Sequence, residues 1–371
     1  MTDGSRRRLL VLTPDFPPAF GGIQLVVSRL VENFERFEVR VVALGQPGAE
    51  SFDRSAGLEV IRTPQSRIPK TTNLLLNAGG VRAALRFRPD VVLVAHIIVA
   101  PAAALIRRAS GAPFVQYLHG HEVAVRPRLT RFAVARAAAT IAVSSYTRRL
   151  AADVGADVAR VHRISPGVDL PSGRRAERDG RPTVLTLARL TARYKGHDVL
   201  IRALPRIKAS VPEAALVIVG DGPLRDELAE LARDQGVAES TVFAGSVADD
   251  ERDAWLDRAH VFAMPSRLPP GGMGGEGFGI VYLEAGAHSL PVVAGNVAGA
   301  VDAVVDGETG LLVDPSDPRA VADAISELLL DREKADALGR AGAARASDFA
   351  WPKIAARIED LLLRTLHASE T

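Results

Sequence analysis

The chain has 371 residues, no cysteine and a formal net charge of +2. That length exceeds one ordinary domain and suits two with sizeable cores. The lack of cysteine excludes disulfides and thiolate metal sites and fits a reducing cytoplasm. The small net charge hides an asymmetry, +11 over residues 1–180 and −9 over the remainder, which aims the first half at something anionic. Aromatic residues are only 5% and no basic–aromatic interleaving stands out, so nucleic acid is not the expected partner. A membrane surface or a phosphorylated acceptor fits better, against an Arg-rich composition without functional meaning.

In chain order, the basic start runs straight into a short apolar strand, Leu9–Thr13, rather than a signal peptide. Pro14 to Pro18 stops it, and Gly21-Gly22 opens a helix with Ile23, Val26, Val27, Leu30 and Val31 on one face. Strand, glycine loop and helix can seat a phosphate or sugar at the helix N-terminus; a plain turn is the alternative. Strands are then expected at Val39–Leu44, Leu58–Arg62, Val91–Ala95, Phe114–Leu118, Thr140–Val143 and Val161–Ile164. Apolar strands alternating with helices imply a parallel sheet covered on both faces, with ligands beyond the strands' carboxyl ends. The most lipid-like stretch, Val91–Ile106, is broken by His96 and Pro101 and reads as a strand followed by a helix.

His119-Gly120-His121-Glu122 follows one such strand end. Metal ligation by His119, His121 and Glu122, a structural histidine, and an imidazole donating to a phosphate or sugar hydroxyl are the three readings. From Val125 to Leu150, Arg126, Arg128, Arg131 and Arg136 surround the apolar Leu129, Phe132, Ala133 and Val134. The segment is either a helix face on an anionic membrane or a solvated helix packed on the sheet. Pro171–Pro182 is polar and turn-rich, the expected linker between residues 1–170 and 171–351.

Strands recur at Val184–Ala188, Ala215–Val219, Thr241–Ala244, His260–Met264, Pro291–Ala294 and near Leu311–Val313. Arg189 and Lys195, flanking a strand end and followed by Gly196, suit a diphosphate: a guanidinium fork and an ammonium point charge. Asp249-Asp250 starts a helix, where acids favour the dipole, rather than forming a metal dyad. Met264–Ala287 then holds five glycines between Gly271 and Gly277, with Glu276 among them and Glu284 eight residues on. Bare backbone amides, a helix expected from near Phe278 and two carboxylates make this loop the expected ligand site. The tail, Trp351–His367, is an amphipathic helix that either packs on another part of the chain or makes a dimer contact.

Glu276-x7-Glu284 with Ala285, followed by Pro291-Val292-Val293-Ala294, resembles the retaining family 4 glycosyltransferases of the GT-B architecture. The longer phrase AMPSRLPPGGMGGEGFGIVYLEAGA is similar to that of the GDP-mannose-dependent phosphatidylinositol mannoside mannosyltransferases. The resemblance implies an α/β fold of two Rossmann-like domains bordering a cleft, the last helix (352–371) crossing back to the first domain. It implies Gly21 and Gly22 over the donor phosphate and sugar, His119 on the transferring sugar, and Arg189 and Lys195 on the leaving diphosphate. Ala188 departs from the glycine usual before that arginine. Val247 would frame the base; Glu276, Gly277, Phe278, Gly279 and Ile280 would hold sugar and phosphate, and Glu284 the ribose.

The reading is a metal-independent retaining hexosyltransferase, the sugar nucleotide being substrate and no cofactor being expected. It would move mannose from GDP-mannose to a phosphatidylinositol mannoside-like glycolipid, from the cytoplasm or the inner face of the plasma membrane. A UDP-sugar enzyme acting on a soluble polyol or natural product, and a noncatalytic sugar-nucleotide binder, are the alternatives.

Overall fold

The computed structural model describes residues 6–171, 178, 180–272 and 274–370. Most of the expected linker, residues 172–177 and 179, and Met273 of the glycine loop lie outside the described residues. The chain divides into two compact units, Met1–Gly167 with Trp351–Thr371, and Val168–Ala350.

The first unit holds seven strands: β1 (Arg7–Leu12), β2 (Phe37–Leu44), β3 (Val60–Thr63), β4 (Val91–Val94), β5 (Phe114–Leu118), β6 (Ala139–Ala142) and β7 (Val161–Arg163). They pair in parallel in the order β3-β2-β1-β4-β5-β6-β7. Leu9–Leu12 and all of β4 and β5 are buried, as strands covered on both faces must be. The second unit holds six: β8 (Thr183–Leu187), β9 (Ala215–Val219), β10 (Thr241–Gly245), β11 (Val261–Met264), β12 (Val292–Gly295) and β13 (Gly310–Val313). Their order, β10-β9-β8-β11-β12-β13, is again parallel.

Both sheets reverse direction once, between β1 and β4 and between β8 and β11. At such a switch the two flanking connections leave toward opposite faces and open a crevice at the strands' carboxyl ends. The loop after β1 carries Gly21-Gly22, the loop after β8 carries Arg189 and Lys195, and the loop after β11 carries Glu276. The sheet order therefore delivers the candidate residues to switch points.

Two local readings need correction. The strand expected from Leu58 begins at Val60, because Gly57 and Leu58 close the preceding helix Ala49–Ala56 through amides donating to Arg54 O and Asp53 O. The helix expected from Phe278 begins at Ile280, because Gly279 takes the left-handed conformation as its N-cap. Of the two readings of residues 125–150, packing on the unit's own core describes most of the apolar residues. Ala133 and Val134 are buried and Leu129 and Phe132 pack on the same core, while the four arginines and Val125, Pro127 and Ala135 stay exposed.

The last helix, Trp351–Glu370, packs on helix Gly22–Asn33 of the first unit. Glu359 is only 2% exposed. Its carboxylate accepts from the Glu35 and Arg36 amides at 2.9 and 2.7 Å and from Arg36 Nε at 2.9 Å. Arg36 also reaches Asp360 Oδ1 and Ala356 O, each at 2.7 Å. A buried charge held by several donors is costly to remove, because the donors are left stranded. Glu359→Ala is expected to destabilise the first unit by about 3–5 kcal/mol. Urea unfolding read by Trp351 fluorescence in a Trp255→Phe background checks it, and a loss below about 1 kcal/mol would contradict it.

Candidate functional site

In the second unit the loops after β8 and β11 are stitched together. The Arg267 amide donates to Tyr194 O at 2.8 Å, and the Arg267 guanidinium pairs with Asp198 at 2.9 Å. Gly196, left-handed at φ 81°, lies so close to Pro265 that a Cβ would collide with its carbonyl oxygen, so only glycine fits. Lys195, on a short 3-10 turn, forms an ion pair with Glu276, both side chains mostly buried. Burial works to lower the Lys195 pKa, but Glu276 and Tyr194 outweigh it and hold the ammonium above its ordinary value. The Glu276 carbonyl in turn accepts from the Gly299 amide at 3.0 Å, and a Cβ on Gly299 would run into Gly277 O. The loop is thus fixed from both sides.

Arg189 is exposed and has no ion pair or side-chain hydrogen bond among the described residues. It acts electrostatically on Lys195 and Tyr194, so one charge set comprises Arg189, Tyr194, Lys195 and Glu276. Phe278 is buried against the Phe349 ring, and Gly279 would clash with Tyr282 if it bore a Cβ. Helix Ile280–Ala287 therefore starts abruptly, its first amides lacking intrahelical acceptors.

Glu284 belongs to a different set. Half-buried in that helix, it has no hydrogen-bond or ion-pair partner among the described residues. Burial raises its pKa; Arg252 opposes the rise, while Asp169, Asp253 and Asp249 add to it. Arg252 is itself held by Asp249 at 3.0 Å and Asp253 at 2.9 Å. A carboxyl with unused acceptor capacity suits paired hydroxyls. Asp249-Asp250 does start a helix, Asp249–Arg258, and half-buried Val247 lies in the turn before it.

In the first unit, Gly21 and Gly22 begin helix Gly22–Asn33, and the space where a Gly22 Cβ would lie is open. The preceding loop is braced by Arg62, a residue without a motif. Its guanidinium binds Asp53 at 2.6 Å and donates to Pro17 O at 2.6 Å and Leu44 O at 3.0 Å. His119 follows β5, and its Nε2 lies 2.8 Å from Ala95 O. A carbonyl only accepts, so Nε2 donates to it, which leaves Nδ1 as the ring nitrogen available to a ligand. Glu122 is structural at this turn, its Oε1 accepting the His119 amide at 2.6 Å. His96, at the end of β4, is an unread neighbour coupled electrostatically to His119, with a pKa lowered chiefly by burial. No group of three or more His, Asp or Glu among the described residues is arranged to hold a metal ion.

One buried histidine beside the site sets a pH dependence. His197, 1% exposed at the start of helix His197–Ser210, has an unpartnered buried Nε2. Burial and then Lys195 lower its pKa to about 4. A depressed folded pKa gives stability that is present above the unfolded value near 6.5 and lost as pH falls through the folded one. The second unit should lose about 3 kcal/mol from this group between pH 7 and pH 4. Glu284, with its raised pKa, contributes the opposite slope at lower pH, so the comparison is with His197→Phe. The difference between wild type and variant in denaturant unfolding should narrow across that range; a constant difference would contradict the assignment.

Comparison with known proteins matches this geometry to a family. Residues 172–345 match the family described as glycosyl transferases group 1, and residues 20–171 match glycosyltransferase family 4. The chain is 39% identical to a GDP-mannose-dependent alpha-(1-6)-phosphatidylinositol monomannoside mannosyltransferase of Mycobacterium tuberculosis, covering 96% of this chain and 98% of that one. It is 33% identical to a GDP-mannose-dependent monoacylated alpha-(1-6)-phosphatidylinositol monomannoside mannosyltransferase of Corynebacterium glutamicum, with 96% and 98% covered. Among solved structures, Anabaena Alr3699/HepE in complex with UDP and glucose superposes with a TM-score of 0.80 at 21% identity, over 97% of this chain and 100% of that one. The chain belongs to the family 4 glycosyltransferases and has their fold of two Rossmann-like domains.

Proposed function

We propose that this enzyme transfers mannose from GDP-mannose to a hydroxyl of a phosphatidylinositol mannoside-like glycolipid, with retention of configuration. The observation that carries the reading is the meeting of Arg189, Lys195 and Glu276 at the second sheet's switch point, in a chain 39% identical to such mannosyltransferases. Arg189 and Lys195 are assigned the diphosphate, whose negative charge grows as the glycosidic bond breaks. Glu276 and the amides of Gly277, Phe278, Gly279 and Ile280 are assigned the sugar and its phosphate. Glu284 is assigned the ribose hydroxyls and Val247 the base. In the first unit, Gly21 and Gly22 supply an amide-lined loop and His119 a hydroxyl acceptor.

In this mechanism no side chain forms a glycosyl intermediate. The acceptor oxygen bonds to the anomeric carbon on the face the diphosphate leaves, and a phosphate oxygen takes the acceptor's proton. No helix among the described residues is long and apolar enough to cross a membrane. We place the enzyme peripherally at the cytoplasmic face, where a glycolipid acceptor resides.

Labelled GDP-mannose incubated with phosphatidylinositol mannoside should give a labelled lipid, at a rate unchanged in excess EDTA because the two cations replace a metal. Arg189→Gln tests the clamp without stranding a partner, and should weaken GDP binding by about 1.5–3 kcal/mol, the worth of a charge-assisted hydrogen bond. Transfer only from UDP-sugars to a soluble polyol would overturn the donor and acceptor assignments. Loss of activity in EDTA with recovery in magnesium would overturn the clamp.

A further inference from the structure

The first unit has a second concave feature, at the opposite ends of its strands from Gly21 and His119. It is a groove of about 380 Å³ at the starts of β6 and β7, closed on one side by the last helix. Ala139 and Ala368 leave its walls low, and Arg107, Arg160, His162 and Arg364 line it. These four come from separate places: the last turn of helix Ala100–Ser110, the two residues around the start of β7, and helix Trp351–Glu370.

The charges in the groove are largely uncompensated. Arg107 Nη1 donates to Arg136 O at 2.5 Å, and Arg160 donates to Ala137 O at 3.3 Å and to Asp157 at 3.2 Å. Those bonds use only part of each guanidinium's five donors and hold the two groups in place. Arg364 and His162 have no ion pair or side-chain hydrogen bond among the described residues. Asp157 is the one carboxylate paired with any of the four among those residues. Three like charges from three elements repel one another, and a bound anion reverses the sign of that energy. His162 responds as a member of the set, its pKa lowered by burial and then by Arg364.

We propose that this groove binds a phosphate monoester, its oxygens shared by Arg107, Arg160 and Arg364 with His162 as a further donor. Guanidinium forks match tetrahedral oxyanions, and the volume suits a small phosphate ester. The phosphate can come from a soluble ester or from a lipid headgroup, and the test separates the two.

The imidazole resonance of His162, identified by its loss in His162→Gln, is followed by proton NMR in the full chain. The soluble arm titrates glycerol 3-phosphate; the lipid arm adds phosphatidylcholine vesicles with or without phosphatidic acid. A saturable shift with glycerol 3-phosphate, raising the His162 midpoint by about one pH unit and weakened about tenfold in Arg364→Gln, supports a soluble ligand. Attenuation by phosphatidic acid vesicles alone, relieved in Arg364→Gln, supports a headgroup. Arg364 is exposed, so the substitution leaves the fold intact, which the unshifted resonances of the other histidines verify. No response in either arm, or a response that Arg364→Gln leaves unchanged, overturns the proposal.

Discussion

The buried ion pair of Lys195 and Glu276 is the constraint on which the second unit's site depends. An ammonium largely withdrawn from water needs a counter-charge, and removing either partner leaves the other stranded. The pair therefore ties the loop after β8 to the loop after β11. Around it the Arg267 amide, the Arg267–Asp198 bridge and the close approach of Gly196 to Pro265 repeat the same connection. These contacts fix the glycine-rich loop at Arg267 and at Glu276. On the proposed assignments, the cation for a diphosphate is at the same time occupied by the carboxylate for a sugar.

That double use has an energetic consequence. Under the proposed assignments, a donor entering the site would bring a diphosphate that competes with Glu276 for Lys195, and a sugar whose hydroxyls can occupy Glu276. Binding of the diphosphate alone breaks or loosens the pair without providing the carboxylate with new donors. Binding of the whole sugar nucleotide replaces both halves of the pair. Discrimination between donor and bare nucleotide is then built into the site, because only the complete donor satisfies both charges. Arg189, exposed and unpaired among the described residues, attracts either ligand without this penalty. Glu284, in its separate acidic surroundings, is outside the competition.

The architecture was largely legible in the sequence. Runs such as Val91–Val94, Phe114–Leu118 and Ala215–Val219 are apolar throughout because both faces of a parallel strand are covered, and all thirteen strands were expected close to their places. Helix Pro69–Phe87 was expected only as one of the helical segments between strands, with no bounds, since Gly79 and Gly80 interrupt its pattern. They are needed where the helix lies against Thr63 and Leu12. The apolar residues beside the arginine cluster stayed open to two readings for another reason: spacing alone cannot say whether Leu129 and Phe132 meet a membrane or their own core. Arg252, Arg62 and His96 went unread because what ties each to a candidate site lies far off in sequence, Glu284 for Arg252, Pro17 O for Arg62 and His119 for His96, and a lone residue carries no spacing signal. Which ring nitrogen of His119 is engaged depends on one carbonyl, Ala95 O, that no motif encodes.

The central claim is that Glu276 holds Lys195 until a complete donor replaces it. Its most direct test is calorimetric titration of GDP into wild type and into Glu276→Gln, which keeps the shape of the side chain and removes its charge. The account predicts tighter GDP binding in the variant, because the diphosphate no longer competes with a carboxylate, together with slower mannosyl transfer. GDP affinity that is unchanged or weaker in Glu276→Gln would contradict it.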